Sequence, residues 1–187
     1  VGLTGSTLYD LENKLKPYGR EPHSIIGSTS IGASIIGGIC NNAGGSLVQR
    51  GPSYTEMALY AKINKNGKLE LVNELEMDLG SEPEDILDNL QNQNYEESDI
   101  RNTNRLGSDD KYSEIVREID KNSPARFNSD SRLLYGASGS AGKVAVFAVR
   151  LDTYLSPVDN KVFYVGTNDP DVFWKIRRNI LSSFKTL

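Results

Sequence analysis

Between Ser24 and Arg50 the chain reads SIIGSTSIGASIIGGICNNAGGSLVQR, and this stretch constrains the fold more than any other. It holds six of the seventeen glycines, among them the doublets Gly37-Gly38 and Gly44-Gly45. Glycine at this density costs chain entropy and brings no side chain to bury. It belongs where backbone approaches something closely or takes positive φ. Ile25, Ile26, Ile31, Ile35, Ile36, Ile39 and Leu47 supply apolar area that a flexible linker lacks, so the stretch is ordered and packed. Two readings stay open on composition. The backbone lies against a flat or phosphate-bearing ligand, or two core elements cross tightly there.

The flanking segments predict an α+β fold. Val1–Thr4 is strand-like. Ser6 or Thr7 caps a helix running to Lys16, with Leu8, Leu11 and Leu15 at helical spacing, and Pro17 and Gly19 end it. A short helix over Ile31–Asn42 is weakened by Gly37-Gly38. Tyr54–Ile63 and Lys68–Val72 flank Asn66-Gly67, a hairpin signal. Pro83–Leu90 is helical, with acidic residues at its start. Gln91–Asp130 reads as a polar, solvated, partly mobile insertion with a weak helix over Lys111–Ile119. Val144–Leu151 is apolar on both faces, as a buried central strand is. Lys161–Gly166 reads as a strand and Asp169–Phe184 as the strongest helix, together the first βα unit of a second domain from residue 153. The FAD-type core domain of the reading below occupies 1–152. The chain opens on Val1 inside a strand-like run and stops just after a helical pattern, so a piece of a longer protein is expected.

Charge and composition narrow the function classes. A net charge of −4 and a pI near 5.1 argue against a nucleic-acid face. One cysteine, Cys40, excludes an internal disulfide, and no apolar run is long enough to span a bilayer. One histidine and one cysteine do not make a tetrahedral N/S metal set, so no metal site is expected.

Individual candidates are weighed on chemistry. Gly136-x-x-Gly139-x-x-Gly142-Lys143 resembles a phosphate loop but has Ala137 and Val144 where glycine and Ser/Thr are required, and it precedes a strand. It reads as a tight turn. His23, the only histidine, reads as structural rather than as a general base or flavin anchor. Cys40 reads as a small buried hydrophobe. Ser34, Asn41 and Asn42, set among glycines and aliphatics, need hydrogen-bond partners if buried, from a planar heterocycle or from neighbouring turns.

Ile35-Ile36-Gly37-Gly38-x-x-x-Asn42-x-Gly44-Gly45, followed by Gly51 and the hairpin, resembles the second subdomain of vanillyl-alcohol-oxidase or PCMH-type FAD-binding domains. The longer string from Gly19 to Asn64 is similar to the respiratory, quinone-linked D-lactate dehydrogenases of bacteria. So are Pro124–Asn128, Ala141–Asp152 and Val162–Asn168. The resemblance implies a flavoprotein oxidising D-lactate to pyruvate on noncovalent FAD, passing electrons to quinone, and sitting peripherally on the cytoplasmic face of the bacterial inner membrane. It implies that Gly27, Ser34, Gly44 and Val146 touch the cofactor, with Gly37, Gly38 and Asn42 beside it. Substrate residues, the catalytic base and the membrane-contacting segment then lie outside this chain, which is expected to bind FAD weakly or not at all, to lack activity and to self-associate. Two other readings remain: a flavoprotein of the same fold acting on another 2-hydroxy acid or a sugar nucleotide, and a non-catalytic interaction module.

Overall fold

The computed structural model describes residues 1–23, 31–45, 47–122 and 130–183. Its core is a four-stranded sheet of β1 (Gly2–Leu3), β3 (Ala58–Ile63), β4 (Leu69–Asn73) and β5 (Ala145–Val149), in the order β1-β5-β3-β4 with every pairing antiparallel. The α+β class and the three long strands expected from sequence are present. Asn66-Gly67 turns the β3–β4 hairpin, with Gly67 at φ +75° and Asn64 accepting from the backbone N–H of Asn66 and Lys68. The partner of Leu59 is Ala148, but that of Tyr60 is Val146, so Phe147 is an extra residue that kinks β5.

Strand alternation divides the core in two. Ala58, Tyr60 and Val149 face Leu8 of α1 (Leu8–Leu15) and Ile35 and Ile39 of α2 (Ile35–Cys40). Leu59 and Ala148 face Leu75, Met77, Leu79 and the α3 residues Ile86 and Leu90 (α3 Pro83–Asn92). Thr7 caps α1 through its hydroxyl, which accepts from the Asp10 N–H at 3.0 Å. The starts of α1 and α2 are sewn together: Leu8 N–H donates to Ala33 O and Ile35 N–H to Ser6 O.

Several expectations are corrected. Lys161–Gly166 is not a strand. It has no ladder partner, and Val162, Phe163 and Tyr164 are at least 78% exposed. The last helix, α5 (Pro170–Ser183), forms as periodicity predicts but buries no residue, and residues 161–166, on which it was expected to pack, are exposed throughout. Its polar ties run instead to the turn after α4 (Tyr112–Ile115), through Arg117 to Leu181 O and Arg178 to Asp120. A second, two-stranded sheet of β2 (Arg20–Glu21) and β6 (Tyr154–Leu155) was not anticipated; both strands are too short to show a period. Nor is the described part of the 91–130 segment loose. Tyr112 and Val116 are buried, and Leu106 exchanges hydrogen bonds with Glu56 through backbone and carboxylate. Widely spaced apolar anchors hold this polar chain down, a pattern without periodicity.

Candidate functional site

α2 is an improbable helix by composition, since Gly37 and Gly38 sit in its middle and each costs about 1 kcal/mol relative to alanine. Caps at both ends and two buried isoleucines hold it. The Ser34 hydroxyl accepts from Gly37 N–H at 3.1 Å. At the other end the glycine turn of residues 136–142 supplies donors. Gly139 N–H bonds to Ile39 O at 3.0 Å and Ala141 N–H to Cys40 O at 2.9 Å. The phosphate-loop lookalike is therefore a C-terminal cap for α2. Gly139 is required there: it has φ +66°, and a Cβ would collide with Asn42 Oδ1 and Leu134.

The side chains missing at 37 and 38 leave a hollow of about 230 Å³, lined by Leu8, Ala33, Ser34, Gly37, Gly38, Ala43 and Ser53. Its wall is mostly apolar, with the two serine hydroxyls as polar points. A Cβ on Gly38 would come within 3.3 Å of Ser53 Oγ, so glycine keeps both the hollow and that hydroxyl open.

Three of the residues singled out from sequence, Ser34, Gly37 and Gly38, meet in this hollow. Gly44 pairs with Pro52 just beyond Ala43 and is exposed. Asn42 is fully buried, with φ +44°, and its amide N–H₂ donates to Ser53 O and Leu133 O, both at 3.2 Å. It braces the wall from behind, and its Oδ1 has no partner among the described residues. Val146 stands apart on β5, packed on the α1–α2 side of the sheet. Gly27 lies outside the described residues. Cys40 is half-buried at the end of α2.

Sequence reasoning missed a pair behind the hollow. His23 is buried, and its Nε2 is hydrogen-bonded to Ser53 Oγ. Burial first, and the nearby Arg50 guanidinium second, push its pKa down to about 4, so the ring is neutral at physiological pH. Arg50 itself is held by the Glu21 carboxylate and Pro22 O and stacks on the Tyr154 ring at 4.2 Å, which ties the β2–β6 sheet to this region. Nothing in the string Gly51-Pro52-Ser53 marks Ser53 as the partner of a histidine thirty residues away. Among the described residues no group of three or more His, Cys, Asp or Glu gathers to hold a metal ion. None of the described helices is long and apolar enough to cross a membrane.

No protein-family model matches the chain. Individual proteins do. It is 60% identical over all 187 residues to the quinone-dependent D-lactate dehydrogenase of Haemophilus influenzae. It is 57% identical over the same length to that of Escherichia coli, and 46% over 183 residues to that of Corynebacterium glutamicum. The chain spans about a third of the length of these curated relatives: 33%, 33% and 32%. From end to end, the chain is thus similar to one third of the quinone-dependent D-lactate dehydrogenases.

Proposed function

We propose that this chain is the second subdomain of a PCMH-type FAD-binding domain, followed by the start of a cap, within a flavoenzyme that oxidises D-lactate to pyruvate and reduces quinone at a membrane surface. The observation that carries the reading is the hollow over Gly37 and Gly38. Similarity at 57–60% identity to enzymes named for D-lactate and quinone supplies the substrates. The residues fit the role physically. A wall without side chains lets a planar or phosphate-bearing group reach the backbone, and Ser34 and Ser53 offer hydrogen bonds at its edge. At about 230 Å³ the hollow is smaller than the roughly 300–1,000 Å³ of a complete ligand site, so this segment supplies one wall.

A bound flavin supplies the two-electron acceptor chemistry that lactate oxidation and quinone reduction both require. This chain's residues position it. Leu8, Ala33 and Ala43 exclude water from one side, and Gly37 and Gly38 allow close approach. Asn42 and the glycine turn fix the wall's shape, and Gly44 and Val146, outside the hollow, are further contacts proposed for a ligand larger than it. The purified full-length protein tests this. Expected are a bound flavin spectrum, its bleaching by D-lactate but not L-lactate, and reduction of a soluble quinone analogue. A colourless protein without D-lactate-dependent quinone reduction refutes it.

A further inference from the structure

We propose that His23 holds the hydroxyl of Ser53 so that its proton points into the hollow, where Ser53 donates a hydrogen bond to an oxygen of the ligand bound there. This inference rests on the flavin reading above and names a contact within it.

The geometry leaves few choices for the two protons. His23 is 5% exposed, and its Nδ1 has no hydrogen-bond partner among the described residues. An N–H at Nδ1 would be a buried donor without an acceptor, which costs about 1–3 kcal/mol and is rare in folded proteins. Buried acceptors are left under-satisfied more often than buried N–H donors, which favours an unprotonated Nδ1. The neutral ring therefore carries its hydrogen on Nε2, the nitrogen that faces Ser53 Oγ. In that tautomer the histidine donates and the serine oxygen accepts. The serine's own proton is then free for a second acceptor, and the described residues provide none for it.

Ser53 is 3% exposed and lines the hollow. Three features keep it there. Ser53 N–H donates to Ala43 O, Asn42 donates to Ser53 O, and the absent Cβ of Gly38 leaves the approach to Oγ open. A buried donor aimed into a mostly apolar hollow selects a ligand with an oxygen acceptor, a ring carbonyl or a phosphate of the dinucleotide. His23 acts through Ser53 and is a positioning residue.

The experiment uses the full-length protein stripped of cofactor and titrated with FAD, in wild type, S53A, H23N, H23Q and the S53A/H23N double variant, with melting temperatures in parallel. Glutamine places an amide N–H where Nε2 was; asparagine falls short of Ser53. Expected are about tenfold weaker FAD binding for S53A and H23N, the value of one neutral hydrogen bond. H23Q is expected close to wild type, and the double variant no weaker than S53A alone. A shift of the flavin absorption bands in S53A assigns the acceptor to the ring; weaker binding with unmoved bands assigns it to the diphosphate. S53A that binds FAD like wild type overturns the proposal and leaves the flavin reading standing. Additive losses in the double variant overturn the positioning role of His23. Wild type that takes up no FAD overturns both.

Discussion

α2 and α5 show how little a helix's own sequence decides its place in the molecule. α5 has the stronger signal: Pro170 at its first turn, and Val172, Phe173, Ile176, Ile180 and Leu181 on one side. Yet none of its residues is buried, and Phe173 and Trp174 are 46% and 57% exposed. α2 has six residues, two of them glycine, and nonetheless buries Ile35 and Ile39 to 2% and 0% exposure. The difference lies in the neighbours. α2 is capped by Ser34 and by the glycine turn, and sheet residues Tyr60 and Val149 meet its apolar side. The apolar side of α5 meets no core cluster. Helical periodicity states which face wants a partner, and only the rest of the fold supplies one.

Mutations in the two helices should therefore diverge. Ile39→Ala removes a fully buried side chain and is expected to destabilise by about 2–5 kcal/mol in denaturant unfolding. A loss under about 1 kcal/mol would mean that α2 is not packed as described. The α2 region also carries an acid sensitivity. His23 has its pKa lowered from 6.5 to about 4 in the fold, so the unfolded chain binds its proton first as pH falls. Its contribution is complete above pH 6.5, declines as pH drops toward 4, and totals about 3 kcal/mol. H23Q should flatten that part of the stability–pH curve relative to wild type; parallel curves contradict it.

Smaller effects sharpen the contrast. Ser34→Ala removes the cap of α2 and is expected to cost about 1 kcal/mol by the same unfolding measurement. Phe173→Ala in α5 should change stability by no more than about 0.5 kcal/mol. The isolated 187-residue chain is expected to self-associate and the same substitution to weaken that association, both read as a concentration-dependent mass in light scattering. An unchanged mass would show that the apolar side of α5 is not the contact.

The parts of the fold legible in sequence are those with local signals. Loose alternation over Tyr54–Ile63, a run apolar on both faces over Val144–Leu151, an Asn-Gly turn and a cap at Ser6 or Thr7 revealed the sheet, the hairpin and α1. The β2–β6 pair joins residues whose partners lie far along the chain and whose strands have two residues each, so no period marks them. Residues 161–166 have strand-like composition but are in no ladder, and composition cannot report a missing partner. In the site, glycine density singled out Gly37 and Gly38, and these two line a hollow from within α2, a shorter helix than the Ile31–Asn42 span expected. His23 and Ser53 were illegible as a pair because their contact depends on how the chain folds back between them.

The role of the glycine wall is tested most directly by the flavin content of the full-length protein carrying Gly38→Val. The new side chain enters the hollow against Ser53 Oγ, where even a Cβ sits at 3.3 Å. Expected is a protein that melts as a folded enzyme but has lost most of its bound flavin, while Phe173→Val retains it. A Gly38→Val enzyme that keeps a full complement of flavin would contradict the placement of the cofactor against α2.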